Sequence, residues 1–300
     1  MRMILVQRNL NAIQESEILI RLLSEAKIPL ELEDYRNLLI KICETIRQLA
    51  YQNLSRLELL DKIDVLEEVL SGTQIVTQYG RRLSEIYSSP VLRASEIDKL
   101  NLVIIRWLHN VHPRSNGYPP AVNNEGWSVL PLPFSASPIY FIPCLEQRSL
   151  LYQPLIFHEF GHVLYQFHEP EMNDLILELQ QKILELLTPA SQRNDRFAQR
   201  QRQGRQIIAD TWYGWIIEFF CDAVGYTIGG PAFLYAFSSY LNTMQPGDFY
   251  RSREDLKNSA HPIKWLRIQF LMKRALKDGF TKVAQQIENE WCRVAKFIGI

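Results

Sequence analysis

His158-Glu159-Phe160-Gly161-His162 follows the pattern H-E-x-x-H. On a helix, residues four apart share a face, so His158 and His162 can point at one metal ion. Glu159 lies about 100° round from His158, at the flank of that face, where its carboxylate can reach a water at the metal. The flanks read as a buried helix. Leu150-Leu151-Tyr152-Gln153-Pro154-Leu155-Ile156-Phe157 precedes the motif and Val163-Leu164-Tyr165-Gln166-Phe167 follows it, so outside the motif only Tyr152 and Tyr165 can ionise. Burying two histidines and a carboxylate without partners is costly, and a metal ion removes that cost. Zinc (Zn2+) is the expected ion. A catalytic zinc site takes three protein ligands and keeps one position open, so the chain must supply a third.

Working outward, the third ligand is expected in Trp215-Ile216-Ile217-Glu218-Phe219-Phe220-Cys221-Asp222. Glu218 and Asp222 are also four apart, inside an apolar helix where a carboxylate pair is expensive without a cation. Glu218 is read as the ligand. Asp222, one turn on, would accept a hydrogen bond from the outward nitrogen of a ligating histidine and fix its tautomer. His168 is the rival, ten residues after His158. That is the metzincin spacing, H-E-x-x-H-x-x-G-x-x-H, but the pattern needs a glycine where this chain has Tyr165. Without it the helix cannot easily break and turn back.

Residues 1 to about 112 read as helices. Tyr35, Leu39, Ile42, Ile46 and Leu49 form an apolar stripe at helical spacing. The pattern continues through Leu54, Leu57, Ile63, Leu66 and Val69 to a break at Ser71-Gly72. Further helices are expected over about 73–87 and 94–109. This region could pack, act as a prosegment or bind a partner. Prolines and glycines crowd 113–138, the expected domain boundary. Ile139-Tyr140-Phe141-Ile142 reads as a strand, either an edge strand able to pair with an extended substrate or a buried core strand. The motif helix is expected over about 150–167 and an amphipathic helix from there to about 187. The Arg-rich run 191–205 reads as a lid, a basic patch or a solvated connection.

Composition bounds the rest. With 47% hydrophobic and 22% charged residues, the chain has the make-up of a soluble globular protein. A formal net charge of +0 argues against a general nucleic-acid binder. Cys43, Cys144, Cys221 and Cys292 are dispersed with no C-x-x-C, which favours a reducing compartment over a disulfide framework. Met3-Ile4-Leu5-Val6 is too short for a signal-peptide core. The longest apolar run, Phe219 to Leu241, holds Asp222, three glycines and Pro231, and is rejected as a membrane span. A cytoplasmic protein is expected.

With these segments assembled, the chain resembles the gluzincin metallopeptidases, most closely the family of the CAAX prenyl proteases and the HtpX heat-shock peptidases. Members carry H-E-x-x-H, then a glutamate followed four residues later by an aspartate, then a His-Pro segment with an arginine. Here these are His158 to His162, Glu218 with Asp222, and Ala260-His261-Pro262-Ile263-Lys264-Trp265-Leu266-Arg267. The resemblance spans about residues 138–270. It implies a zinc site of His158, His162 and Glu218, Glu159 as general base, and Asp222 behind a histidine. It also implies that His261 holds substrate or the oxyanion and that Arg267 braces the carboxylates. Those relatives sit in or on membranes and this chain shows no span, so a membrane or prenylated substrate is not implied.

The expected fold class is mainly α with a small β element (α+β). It comprises an N-terminal helical bundle over 1–112 and a zincin-like metallopeptidase domain over 113–300. The expected function is that of a zinc metallopeptidase, an endopeptidase acting on peptide or protein substrates by a metal-activated water with Glu159 as general base. The alternative is an inactive peptidase-like zinc module that binds a protein partner through its N-terminal helices. A third reading is a zinc hydrolase acting on small amides or esters.

Overall fold

The computed structural model describes residues 1–57, 63–130, 137–143, 146–147, 149–188, 198–252, 255 and 259–300. Cys144 and the first part of the Arg-rich run lie outside the described residues. The chain divides into two compact units, Met1–Arg148 and Ser149–Ile300.

In the first unit, helices α1 (Arg2–Glu25), α2 (Glu33–Leu57) and α3 (Ile63–Arg82) pack on one another. Each buries a line of residues at steps of three, four or seven. The lines are Leu5, Asn9, Ala12, Ser16 and Leu23; then Leu39, Cys43, Ile46, Ala50, Asn53 and Leu57; then Val69, Thr73 and Val76. This is the spacing of a coiled-coil seam. The buried line on α2 differs from the expected stripe, because Cys43 and Ala50 turn inward while Leu49 is 38% exposed. The seam admits small and polar residues that a search for large apolar ones passes over. Asn9 Nδ2 donates to Leu5 O and to Thr73 Oγ1, both at 2.8 Å, and Asn53 Nδ2 donates to Asn9 Oδ1 at 3.0 Å.

Ser71-Gly72, read from the sequence as a break, lies inside α3. Gly72 instead gives the Asn53 amide room, since a Cβ there would collide with Asn53 Oδ1. Gly80 on the same helix has space, the nearest atom to its would-be Cβ being Glu15 Oε2 at 3.9 Å. Gly80→Ala is therefore expected to stabilise the protein by about 1 kcal/mol, the helix-propensity difference. Gly72→Ala is expected to destabilise it by about 1 kcal/mol or more by disrupting the buried amide contact. Urea midpoints of the two variants should move in opposite directions.

Beyond a π-helical turn at Leu83–Tyr87 come α4 (Ser89–Leu92) and α5 (Asp98–Val111). Strands β1 (Ala121–Asn123), β2 (Ser128–Leu130) and β3 (Ile139–Phe141) form a sheet in the order β1-β3-β2. β3 runs parallel to β1, with Ala121 opposite Ile139, and antiparallel to β2, with Ser128 opposite Phe141. It is therefore central and buried, not the edge strand that substrate pairing requires, because both of its sides are already hydrogen-bonded. The sheet belongs with the helices before it. Arg93 donates to Val122 O and Asn123 Oδ1, each at 2.6 Å, and His109 Nε2 lies 2.9 Å from Tyr140 Oη. These ties carry the first unit on to residue 148, past the boundary expected at 112.

The second unit is helical. It contains α6 (Leu155–Phe167), α7 (Glu169–Leu187), α8 (Ala198–Leu241), α9 (Lys264–Lys277) and α10 (Thr281–Phe297). The end of the Arg-rich run thus opens α8. That helix is broken at Gly230, whose φ of 55° and ψ of −139° are outside the helical region, with Pro231 next. Glycine tolerates that backbone and proline cannot continue the hydrogen-bond ladder. The chain turns back there, as Gly225 and Phe233 show: a Cβ on Gly225 would meet the Phe233 ring at 2.5 Å. Among the described residues, no helix is long and apolar enough to cross a membrane.

Candidate metal centre

The centre is built where α6 meets α8. Gly161, inside the H-E-x-x-H stretch, faces Cys221, and a Cβ on it would lie 2.7 Å from Cys221 Cα. The missing side chain lets the two backbones approach, which brings the polar residues of one helix onto those of the other. His158 Nε2 lies 3.6 Å from Glu218 Oε2, and His162 Nε2 lies 3.6 Å from Glu218 Oε1. One donor atom from each of His158, His162 and Glu218 falls within 4.8 Å of the others, so the group could hold a metal ion.

Two observations test the fit. Glu218 Oε2 is buried, makes no aligned hydrogen bond and faces the Arg267 guanidinium at 3.0 Å, which keeps the carboxylate charged and able to ligate a cation. Two imidazoles with one carboxylate are also a donor set suited to zinc. The residues fit the ion.

Behind the donors sits a buried ion pair. Asp222 is fully buried and accepts two bonds from Arg267, from Nε at 2.8 Å and Nη2 at 2.6 Å. Arg267 Nη2 also lies 3.0 Å from Glu218 Oε2. His158 Nδ1 lies 3.0 Å from Asp222 Oδ1, in ion-pair contact but outside hydrogen-bond alignment. Asp222 thus lies beside His158 Nδ1, and Arg267 contacts both carboxylates.

These surroundings set the charges. Burial alone would raise the Glu218 pKa, but His158 and Arg267 outweigh it and bring it down to about 2. Asp222 is likewise held low despite its burial, chiefly by Arg267. Burial lowers the pKa of His162 to about 4, leaving it neutral and able to donate its lone pair. For His158, burial is overcome by Asp222 and Glu218, which raise it to about 9. Metal binding there must displace a proton. Burial pushes Glu159 up to about 7, eased by His158 and Arg267 and reinforced by Glu218.

His261 Nε2 is 3.6 Å from Glu218 Oε1, with its side chain 62% exposed. Trp215, one turn before Glu218, donates from Nε1 to Ser259 O at 3.2 Å, and Ser259 Oγ donates to His261 O. The tryptophan therefore anchors the loop that carries His261. His168 is absent from the donor group. It ends α6, with Nδ1 4.0 Å from Glu171 Oε1.

Sequence reasoning missed Phe237. Its ring stacks on His158, with centroids 5.5 Å apart and planes at 27°, and Arg267 Cζ lies 4.6 Å from its centroid. The available signal was Gly230-Pro231, a turn dipeptide inside the apolar run. No protein-family model matches the chain, and no curated protein or solved structure matches it either.

Proposed function

We propose that the chain is a zinc metallopeptidase of gluzincin type that hydrolyses peptide bonds with Glu159 as general base. One observation carries this reading: a buried carboxylate, Glu159, stands next in sequence to a donor group that holds three protein ligands among the described residues. A structural zinc site takes four ligands and closes, and it has no use for a carboxylate poised near neutrality. Zinc, when bound, supplies a Lewis acid toward the peptide carbonyl and a water of lowered pKa. Glu159 takes a proton from the attacking water and passes it to the leaving amine. His261 donates to the developing oxyanion. Asp222 and Arg267 hold the donor side chains in place from behind. A cytoplasmic location belongs to the proposal and rests on the dispersed cysteines, of which Cys43, Cys221 and Cys292 are free.

The inactive, partner-binding reading draws on the first unit. There α5 exposes Leu100, Val103, Trp107 and Val111 at helical spacing, an apolar stripe of the kind partner helices cover. It predicts zinc without hydrolysis of peptides, amides or esters.

The test is elemental analysis of the purified protein beside Glu218→Ala and His168→Ala. One zinc per chain, lost with Glu218→Ala and kept with His168→Ala, is the expected result. Loss with His168→Ala alone, or no zinc even after it is supplied, would sink the assignment.

A further inference from the structure

We propose that Phe237 is a positioning residue of the metal centre, holding the His158 imidazole in its ligating orientation and screening the Arg267 cation from water. The inference rests on the metal-site reading above and adds to it a residue that neither binds metal nor carries charge.

The argument starts from distance along the chain. On an unbroken helix Phe237 would lie roughly 28 Å from Glu218, at 1.5 Å per residue. Instead its ring stacks on His158, whose Nε2 is 3.6 Å from Glu218. The reversal at Gly230 is what delivers it. Gly225 and Gly229 leave room for the returning limb: a Cβ on Gly229 would lie 2.8 Å from Phe233 Cβ. Phe233 in turn stacks on Phe237, with centroids 5.1 Å apart and planes at 18°.

His158 needs such a support. Its outward nitrogen meets Asp222 Oδ1 at 3.0 Å, a contact at one point of the ring edge that fixes where the ring sits but not its tilt about that contact. A stacked aromatic face restrains the tilt that a single contact at the ring edge does not. The same ring lies against the Arg267 guanidinium. A cation on an aromatic face is stabilised by the ring quadrupole, more so when desolvated. Arg267 is thereby held dry where it braces Asp222 and Glu218. Both effects need a flat face; volume alone does not supply them.

The test is a zinc titration of the full chain, stripped of metal, against a chromophoric chelator, together with the visible spectrum of the Co(II)-loaded protein. Phe237→Leu is expected to bind one ion with an affinity about 10–100-fold weaker, as for other residues that orient a ligand from behind. Its Co(II) spectrum should be altered. Phe237→Tyr should restore both. Phe249→Leu, whose ring packs on Trp265 and Trp291, should leave both unchanged and so accounts for general loss of packing. Unchanged zinc affinity in Phe237→Leu, beside a parent that binds one ion, would overturn the role of Phe237 and leave the metal site standing. Failure of the parent itself to bind zinc or Co(II) would overturn both. If Phe237→Leu does not fold, Phe237→Met, which keeps volume without a face, decides in the same way. Tenfold weaker binding by that variant supports the proposal and parental affinity refutes it.

Discussion

Glu159→Gln protein is expected to keep one zinc per chain and to hydrolyse peptides about 10²–10⁴-fold more slowly than the parent. The substitution preserves shape and removes the proton acceptor. Glu159 is outside the donor group, so metal content should not change. Stability provides a second readout. In the metal-free protein, burial raises the Glu159 pKa from 4.5 to about 7. Between those values the folded state binds the extra proton, so the parent loses stability as pH rises from about 4.5 to 7. Glutamine has no such charge to bury. The metal-free variant should therefore gain on the parent above pH 7, by up to about 3 kcal/mol, as read from urea midpoints at pH 5 and pH 8. Activity lost while stability is gained is the pattern of a residue kept for chemistry. A bound dication lowers the carboxyl pKa, so the acid limb of kcat/KM should fall below pH 7. Full activity in the Gln variant would refute the mechanism.

Arg267→Met is expected to cost about 3–5 kcal/mol, the loss seen when one partner of a buried ion pair is removed. Arg267 is 4% exposed and Asp222 is fully buried. Without the guanidinium, Asp222 loses two hydrogen bonds and Glu218 a contact at 3.0 Å. Zinc affinity should fall as well, since both carboxylates would then be free to shift. Adding Asp222→Asn should recover part of the stability, because the uncompensated charge is gone. It should not recover the affinity, because Asp222 also faces His158 Nδ1 at 3.0 Å. A thermal melt and a zinc titration on the parent, both single variants and the double variant complete the cycle. Independent, additive effects would show that the arginine and the aspartate do not act together.

The donor group was legible because its residues obey a local rule. His158 and His162 are four apart, Glu218 and Asp222 are four apart, and both pairs lie in apolar helices where a charge demands a reason. The bracing by Arg267 was legible only through the His-Pro-Arg resemblance, since nothing local links residue 267 to residue 222. Phe237 escaped because its place depends on the reversal at Gly230. There the chain abandons helical spacing, and the glycine and proline had been read only as reasons against a membrane span. Similar causes explain the differences in the first unit. Ala50 and Cys43 fill seam positions that call for small side chains. Gly72 marks a close approach inside α3, where a glycine reads as a break. The ties from Arg93 and His109 to the strands reach from before the proline-rich segment to beyond it, and composition gives no sign of them.

The amide cluster of Asn9, Asn53 and Thr73 bears on which arrangements of the first three helices are excluded. Sliding α2 by a single repeat shifts it about 10 Å and sets Ile46 in the place of Asn53, opposite Asn9. Each stranded amide would then cost about 1–3 kcal/mol. The cluster therefore discriminates among alignments that the surrounding leucines and valines would accept almost equally. Exchange of a helix between two copies of the chain meets the same condition. It is tolerated only where Asn9 again finds Asn53 and Thr73, so mispaired bundles are selected against by three buried side chains rather than by the bulk of the core.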